Sequence, residues 1–128
     1  MSYTYDDQNI FAKILRGEIP CTKVVETEHS LAILDIHPQA PVHVLLIPKG
    51  PYVDADHFGE SASEAELADF SQAISQVARV TGISQTAGGN GFRTISNIGP
   101  DGRQDVPHYH IHIVGGEKLG WFLPKRQA

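Results

Sequence analysis

The sequence predicts an antiparallel α+β fold, one sheet of about five strands with a short N-terminal helix and one long helix. Three observations point there. Strand-like runs follow one another across short polar turns, strand and helix patterns do not alternate as βαβ units require, and only one segment is periodic enough for a long helix.

After an N-terminal arm over residues 1–8, Asp7 or Asn9 can cap a short helix. Its apolar Ile10, Phe11, Ile14 and Leu15 fall on one side, with Arg16 in the last turn and Gly17 closing it. Lys23 to Thr27 and Leu31 to Ile36 read as two strands joined by the turn Glu28-His29-Ser30, and His43 to Ile47 as a third between Pro41 and Pro48. From Ser63 to Thr81, Leu67, Phe70, Ile74 and Val77 recur at helical spacing. Ser63 and Glu66 supply a capping box, and Gly82 the stop. Phe92 to Ser96 reads as a fourth strand, and the loop Gly99-Pro100-Asp101-Gly102-Arg103-Gln104 leads into a fifth. The expected unit is a single domain over residues 1–128 with a C-terminal tail over 122–128.

With 41% hydrophobic and 20% charged residues, a chain of 128 residues can bury one core without disulfide staples. A net charge of −5 leaves no basic stripe, so no nucleic acid polymer is expected as a partner, whereas single nucleotides remain open. Cys21 is the one cysteine; it excludes an internal disulfide and fits a reducing compartment. The polar start, Met1 to Asp7, lacks the basic and apolar regions of a leader, and no apolar run is long enough to span a bilayer. The expectation is a cytoplasmic protein with no membrane contact.

The chemistry concentrates in Pro107 to Gly116, where His108, His110 and His112 occupy alternate positions. On a strand, a period of two puts the three imidazoles on one face and Tyr109, Ile111 and Ile113 on the other. Three readings compete. An incidentally histidine-rich exposed face would waste positions that β-branched residues fill better. A zinc site could take three histidines and water, with His43 and Asp105 as further ligands, although neither a cysteine pair nor a His-Glu-x-x-His helix accompanies it. Nucleophilic catalysis at phosphorus needs one imidazole whose second nitrogen is held in a fixed hydrogen bond. His110, flanked on both sides, suits that role, and the neighbouring loop offers backbone amides, Arg103 and Gln104 to an anion. His29, His37 and His57 are expected at the surface, and Cys21 as a passive side chain.

The run His108 to Val114 reads His-φ-His-φ-His-φ-φ with φ apolar and Tyr109 in the first φ position. Together with Asn9 to Pro20, Asp35 to His43, Asn97 and Gly115-Gly116, it resembles the Hint branch of the histidine-triad family, from about residue 9 to residue 121. The resemblance implies a homodimer whose two sheets join, binding purine nucleoside monophosphates and hydrolysing the P–N bond of nucleoside phosphoramidates through a phosphohistidine, with no cofactor and no metal. It implies His110 as nucleophile, with the carbonyl of His108 fixing its tautomer, His112 touching phosphate oxygens and His43 supporting the triad. Asn97 and Gln104 match contacts on the phosphate side, Asp35 matches the acceptor for ribose hydroxyls, and Phe11, Ile14, Ile19 and Ile36 match an apolar nucleoside pocket. The chain departs from the pattern at Asp105, where many relatives carry a phosphate-binding serine, at Arg103, which replaces a glycine, and in the tail after Trp121. Arg103 and Asp105 are therefore candidate nucleotide contacts of uncertain sign: a cation that attracts phosphate beside a carboxylate that repels it. Two other functions stay open: a non-catalytic nucleotide-binding protein and a dinucleoside polyphosphate hydrolase.

Overall fold

In the computed structural model, which describes residues 2–124, the longest continuous apolar run explains the layering. Strand β3, Val42–Pro48, is buried from His43 onward. Its side chains alternate between two cores: Val44 and Leu46 pack with Phe70, Ala73 and Val77, while Leu45 and Ile47 pack with Phe11 on the other side. A strand covered on both faces reads as an apolar run because neither face meets water. The helices doing the covering are α1, Ile10–Leu15, and α3, Glu64–Val80.

Strands β1 (Lys23–Glu26), β2 (Ser30–Leu34), β3, β4 (Phe92–Ile95) and β5 (Ile111–Gly115) form one antiparallel sheet in the order β1-β2-β3-β5-β4. Both predicted caps form. The Asn9 carboxamide oxygen accepts from Ala12 N–H, and Ser63 and Glu66 exchange the two bonds of a capping box. Gly17 and Gly82 take the positive φ that ends each helix.

The structure corrects the predicted elements in four places. A second short helix, α2, Ala55–Ser61, lies between β3 and α3, and a 3-10 turn spans Gln85–Ala87. Only Phe58 of α2 is buried and Gly59 interrupts it, so its sequence carries no periodic signal. Strand β2 ends at Leu34, leaving Asp35 and Ile36 beyond it, with Asp35 N–H donating to the carbonyl of His43. His57 and His29 are half-buried; His57 stacks on Tyr3 and accepts from Val53 N–H, while His37 is exposed as expected.

The fourth correction concerns the histidines. Of the three, only His112 belongs to β5, because the β3–β5 ladder runs from Val42↔Gly115 to Leu46↔Ile111 and stops. Past that point the amide of Tyr109 donates to the carbonyl of Tyr52, and the His108 ring takes the carbonyl of Pro48. Alternation survives in the extended segment: Tyr109 packs between Phe58 and Phe70, whereas His108 and His110 turn to Phe11. Of the predicted tail over 122–128, residues 125–128 lie outside the described residues, as does Met1 of the arm. Among the described residues no helix is long and apolar enough to cross a membrane.

Candidate active site

Each ring nitrogen at the site can be assigned from an obligate donor or acceptor. A carbonyl oxygen only accepts, so the 2.7 Å bond between His110 Nδ1 and the carbonyl of His108 places the proton of a neutral His110 on Nδ1. Its Nε2 keeps a lone pair. That nitrogen faces Asp105, whose Oδ1 is 3.6 Å away and whose side chain is 78% exposed. His110 itself is buried, with the edge of Phe11 against its ring at a centroid distance of 5.0 Å.

A second chain of bonds assigns His43 and His112. The amide N–H of Gln39 donates to His43 Nδ1 at 3.0 Å, so the proton of neutral His43 sits on Nε2 and donates to His112 Nδ1 at 2.8 Å. His112 then carries its own proton on Nε2, as a donor beside His110. Burial and the neighbouring His110 and His43 imidazoles push His112 below the ordinary histidine range, which keeps it neutral. Asp35 Oδ2 lies 3.3 Å from His43 Nε2, and Asp35 Oδ1 accepts from His37 N–H.

His108 is fully buried and held at both nitrogens. Its Nε2–H donates to Pro48 at 2.9 Å and its Nδ1 accepts from the Tyr5 hydroxyl at 2.6 Å. Burial pushes its pKa down to about 4.

Two cavities flank these rings. An apolar one of about 140 Å³ is lined by Phe11, Ile14, Ile19, Cys21, Asp35 and Ile36, among others. A polar one of about 240 Å³ is lined by Gln39, His43, Asn97, Arg103, Asp105 and His112, with Ile95 and Val114 as its apolar wall. The Asp35–His43 contact stands between them. Arg103 holds φ at 57°, the only positive φ at a non-glycine among the described residues, a conformation that a glycine would adopt without steric cost. Gln104 does something other than meet an anion. Its amide donates to the carbonyls of Val53 and Val106 and its Oε1 accepts from Gly99 N–H, which spends its donors on bracing the loop.

Asp35, His43 and His112 each bring one possible ligand atom to within 4.8 Å of the others, so a metal is a reading to be tested. The arrangement does not fit one. The His43 nitrogen that faces the cluster bears the proton, since Gln39 N–H occupies the other. The His43–His112 separation of 2.8 Å is a hydrogen-bond length, shorter than the roughly 3.3 Å between two nitrogens bound tetrahedrally at about 2.0–2.1 Å from one zinc ion. Asp105, which with His43 is a possible further ligand in the zinc reading of the sequence, faces His110 instead.

Sequence reasoning missed Tyr5 and the Gln39 amide. Tyr3 and Tyr5, two aromatics in an otherwise polar arm, were the available sign that the arm docks.

An antiparallel α+β sheet that sets His43 and His112 on adjacent central strands, with His110 and His108 continuing the row along β3 as far as Pro48, defines a histidine-based catalytic or binding site. The HIT domain model matches residues 16–119, and the chain belongs to the HIT family. It is 54% identical over 125 residues to a 13.2 kDa HIT-like protein of Azospirillum brasilense, covering 98% of this chain and 99% of that one. It is 40% identical over 116 residues to an adenylylsulfatase of Arabidopsis thaliana, covering 91% and 76%, and 40% identical over 116 residues to a 14 kDa zinc-binding protein of Zea mays, covering 91% and 88%. Among solved structures it superposes on a HIT family hydrolase from Clostridium thermocellum with a TM-score of 0.78 at 38% identity, covering 94% and 97%.

Proposed function

We propose that the protein is a nucleoside phosphoramidase of the Hint branch, cleaving the P–N bond of purine nucleoside 5'-phosphoramidates to the nucleoside monophosphate. The observation that carries this reading is the bond from His110 Nδ1–H to the His108 carbonyl, which leaves the Nε2 lone pair ready for attack. Nε2 bonds to phosphorus as the P–N bond breaks, and the amine leaves with a proton taken from solvent water. A second water then attacks phosphorus and gives up a proton to solvent, the Nε2–P bond breaks with its electron pair returning to His110, and the nucleoside monophosphate departs. His112 Nε2–H donates to a phosphate oxygen, and Asn97 and Arg103 line the same cavity. The apolar cavity takes the nucleoside, with Asp35 accepting from ribose hydroxyls.

The hydrolase named in the Clostridium thermocellum structure supports hydrolysis as the reaction class, and the chain's own four histidines support the family's nucleophile. We place the protein in the cytoplasm as a homodimer, its β4 edge joined to a second copy. The test compares kcat/KM for adenosine phosphoramidate, adenosine 5'-phosphosulfate and diadenosine polyphosphates, with and without a chelator. Preference for the phosphoramidate, unmoved by chelation, is expected. A dominant polyphosphate activity, or binding with no turnover of any of them, would overturn the reading.

A further inference from the structure

We propose that Tyr5, in the N-terminal arm, is a positioning residue that holds the His108 ring in one tautomer and orientation and through it holds the carbonyl that orients His110; the catalytic part of this rests on the function proposed above. The bonds run in one direction. Asn9 Oδ1 accepts from the Ala12 amide, which fixes Asn9 Nδ2 as a donor, and that donor reaches the Tyr5 oxygen at 3.0 Å. With its oxygen already accepting, the Tyr5 hydroxyl directs its own hydrogen to His108 Nδ1 at 2.6 Å. The opposite nitrogen of the same ring is tied to the Pro48 carbonyl at 2.9 Å. His108 is therefore clamped between a strand end and the arm, and its carbonyl receives the His110 Nδ1–H at 2.7 Å.

Removal of the hydroxyl leaves a fully buried nitrogen without a donor, a condition relieved by turning the ring, since moving its proton to Nδ1 would set a bare Nε2 against the Pro48 carbonyl. That turn shifts the peptide that carries the carbonyl. His110 then samples the tautomer with its proton on Nε2, which cannot attack. Tyr5 lines neither cavity, so substrate affinity has no reason to change.

Tyr5→Phe keeps the ring that packs edge-on to His108 and deletes only the hydroxyl. We expect kcat to fall about ten-fold with KM unchanged. Ring ¹⁵N shifts should move His110 from a pure Nδ1–H tautomer to a mixture while those of His43 and His112 stay put. Wild-type kcat in Tyr5→Phe, or unchanged His110 shifts alongside a matched loss of thermal stability and activity, would overturn the proposal. If the wild-type protein does not turn over phosphoramidates, the functional reading fails, and the ¹⁵N shifts still decide what Tyr5 does to His108 and His110.

Discussion

Asp105 is the residue at which this chain's chemistry is most exposed to test. Its carboxylate lies 3.6 Å from His110 Nε2, close to where a phosphorus atom must come for attack at about 3–3.5 Å. The carboxylate is largely solvated, so its repulsion of an anionic phosphate is taken at the water-like end, about 1 kcal/mol at 4 Å. Asp105→Asn should raise kcat/KM about five-fold by removing that repulsion. A fall in kcat/KM at every pH from about 6 to 9 would instead mark the carboxylate as required.

His108 makes a prediction about stability. Its pKa is about 4 in the folded protein against an ordinary 6.5, so between these values the unfolded chain binds a proton that the folded one refuses. Stability is therefore fully present above pH 6.5 and declines as pH falls toward 4, by about 3 kcal/mol in total. Denaturant titrations should show this slope in the wild type and a flatter one in His108→Gln. Equal slopes would mean that His108 is not held neutral.

At the scale of elements, legibility tracked how local the determining interaction is. The Ser63–Glu66 capping box, the apolar run of β3 between Pro41 and Pro48, and the glycine stops are set within a few residues, and all three could be read from the sequence. The bonds that complete the site join residues far apart, 69 positions for His43–His112 and 103 for Tyr5–His108, and no local pattern carries them. Strand β5 begins later than its alternation suggests because a ladder needs a partner as well as a pattern, and past Leu46 the partners are a ring and a loop carbonyl. Gln104 could be singled out by composition but its partners could not, and these make it a brace. The capping box gives a simple check on α3. Ser63→Ala should cost about 1 kcal/mol. That corresponds to a Tm lower by about 4 °C in a differential scan. An unchanged Tm would show that tertiary packing alone sets the start of that helix.

For the whole molecule, the exposed edge strand β4 and its partly exposed Phe92 and Ile95 favour a second copy as cover. Light scattering at micromolar concentration should give about twice 14.0 kDa, and a mass of 14.0 kDa would contradict the dimer. The central claim is that one nitrogen, His110 Nε2, becomes bonded to phosphorus. Rapid quenching of a single turnover of adenosine phosphoramidate, followed by peptide mass mapping under alkaline conditions that preserve phosphohistidine, tests it directly. The account predicts a nucleoside phosphate adduct on the peptide containing His110, lost in His110→Ala. An adduct on another residue, or complete turnover in His110→Ala, would contradict it.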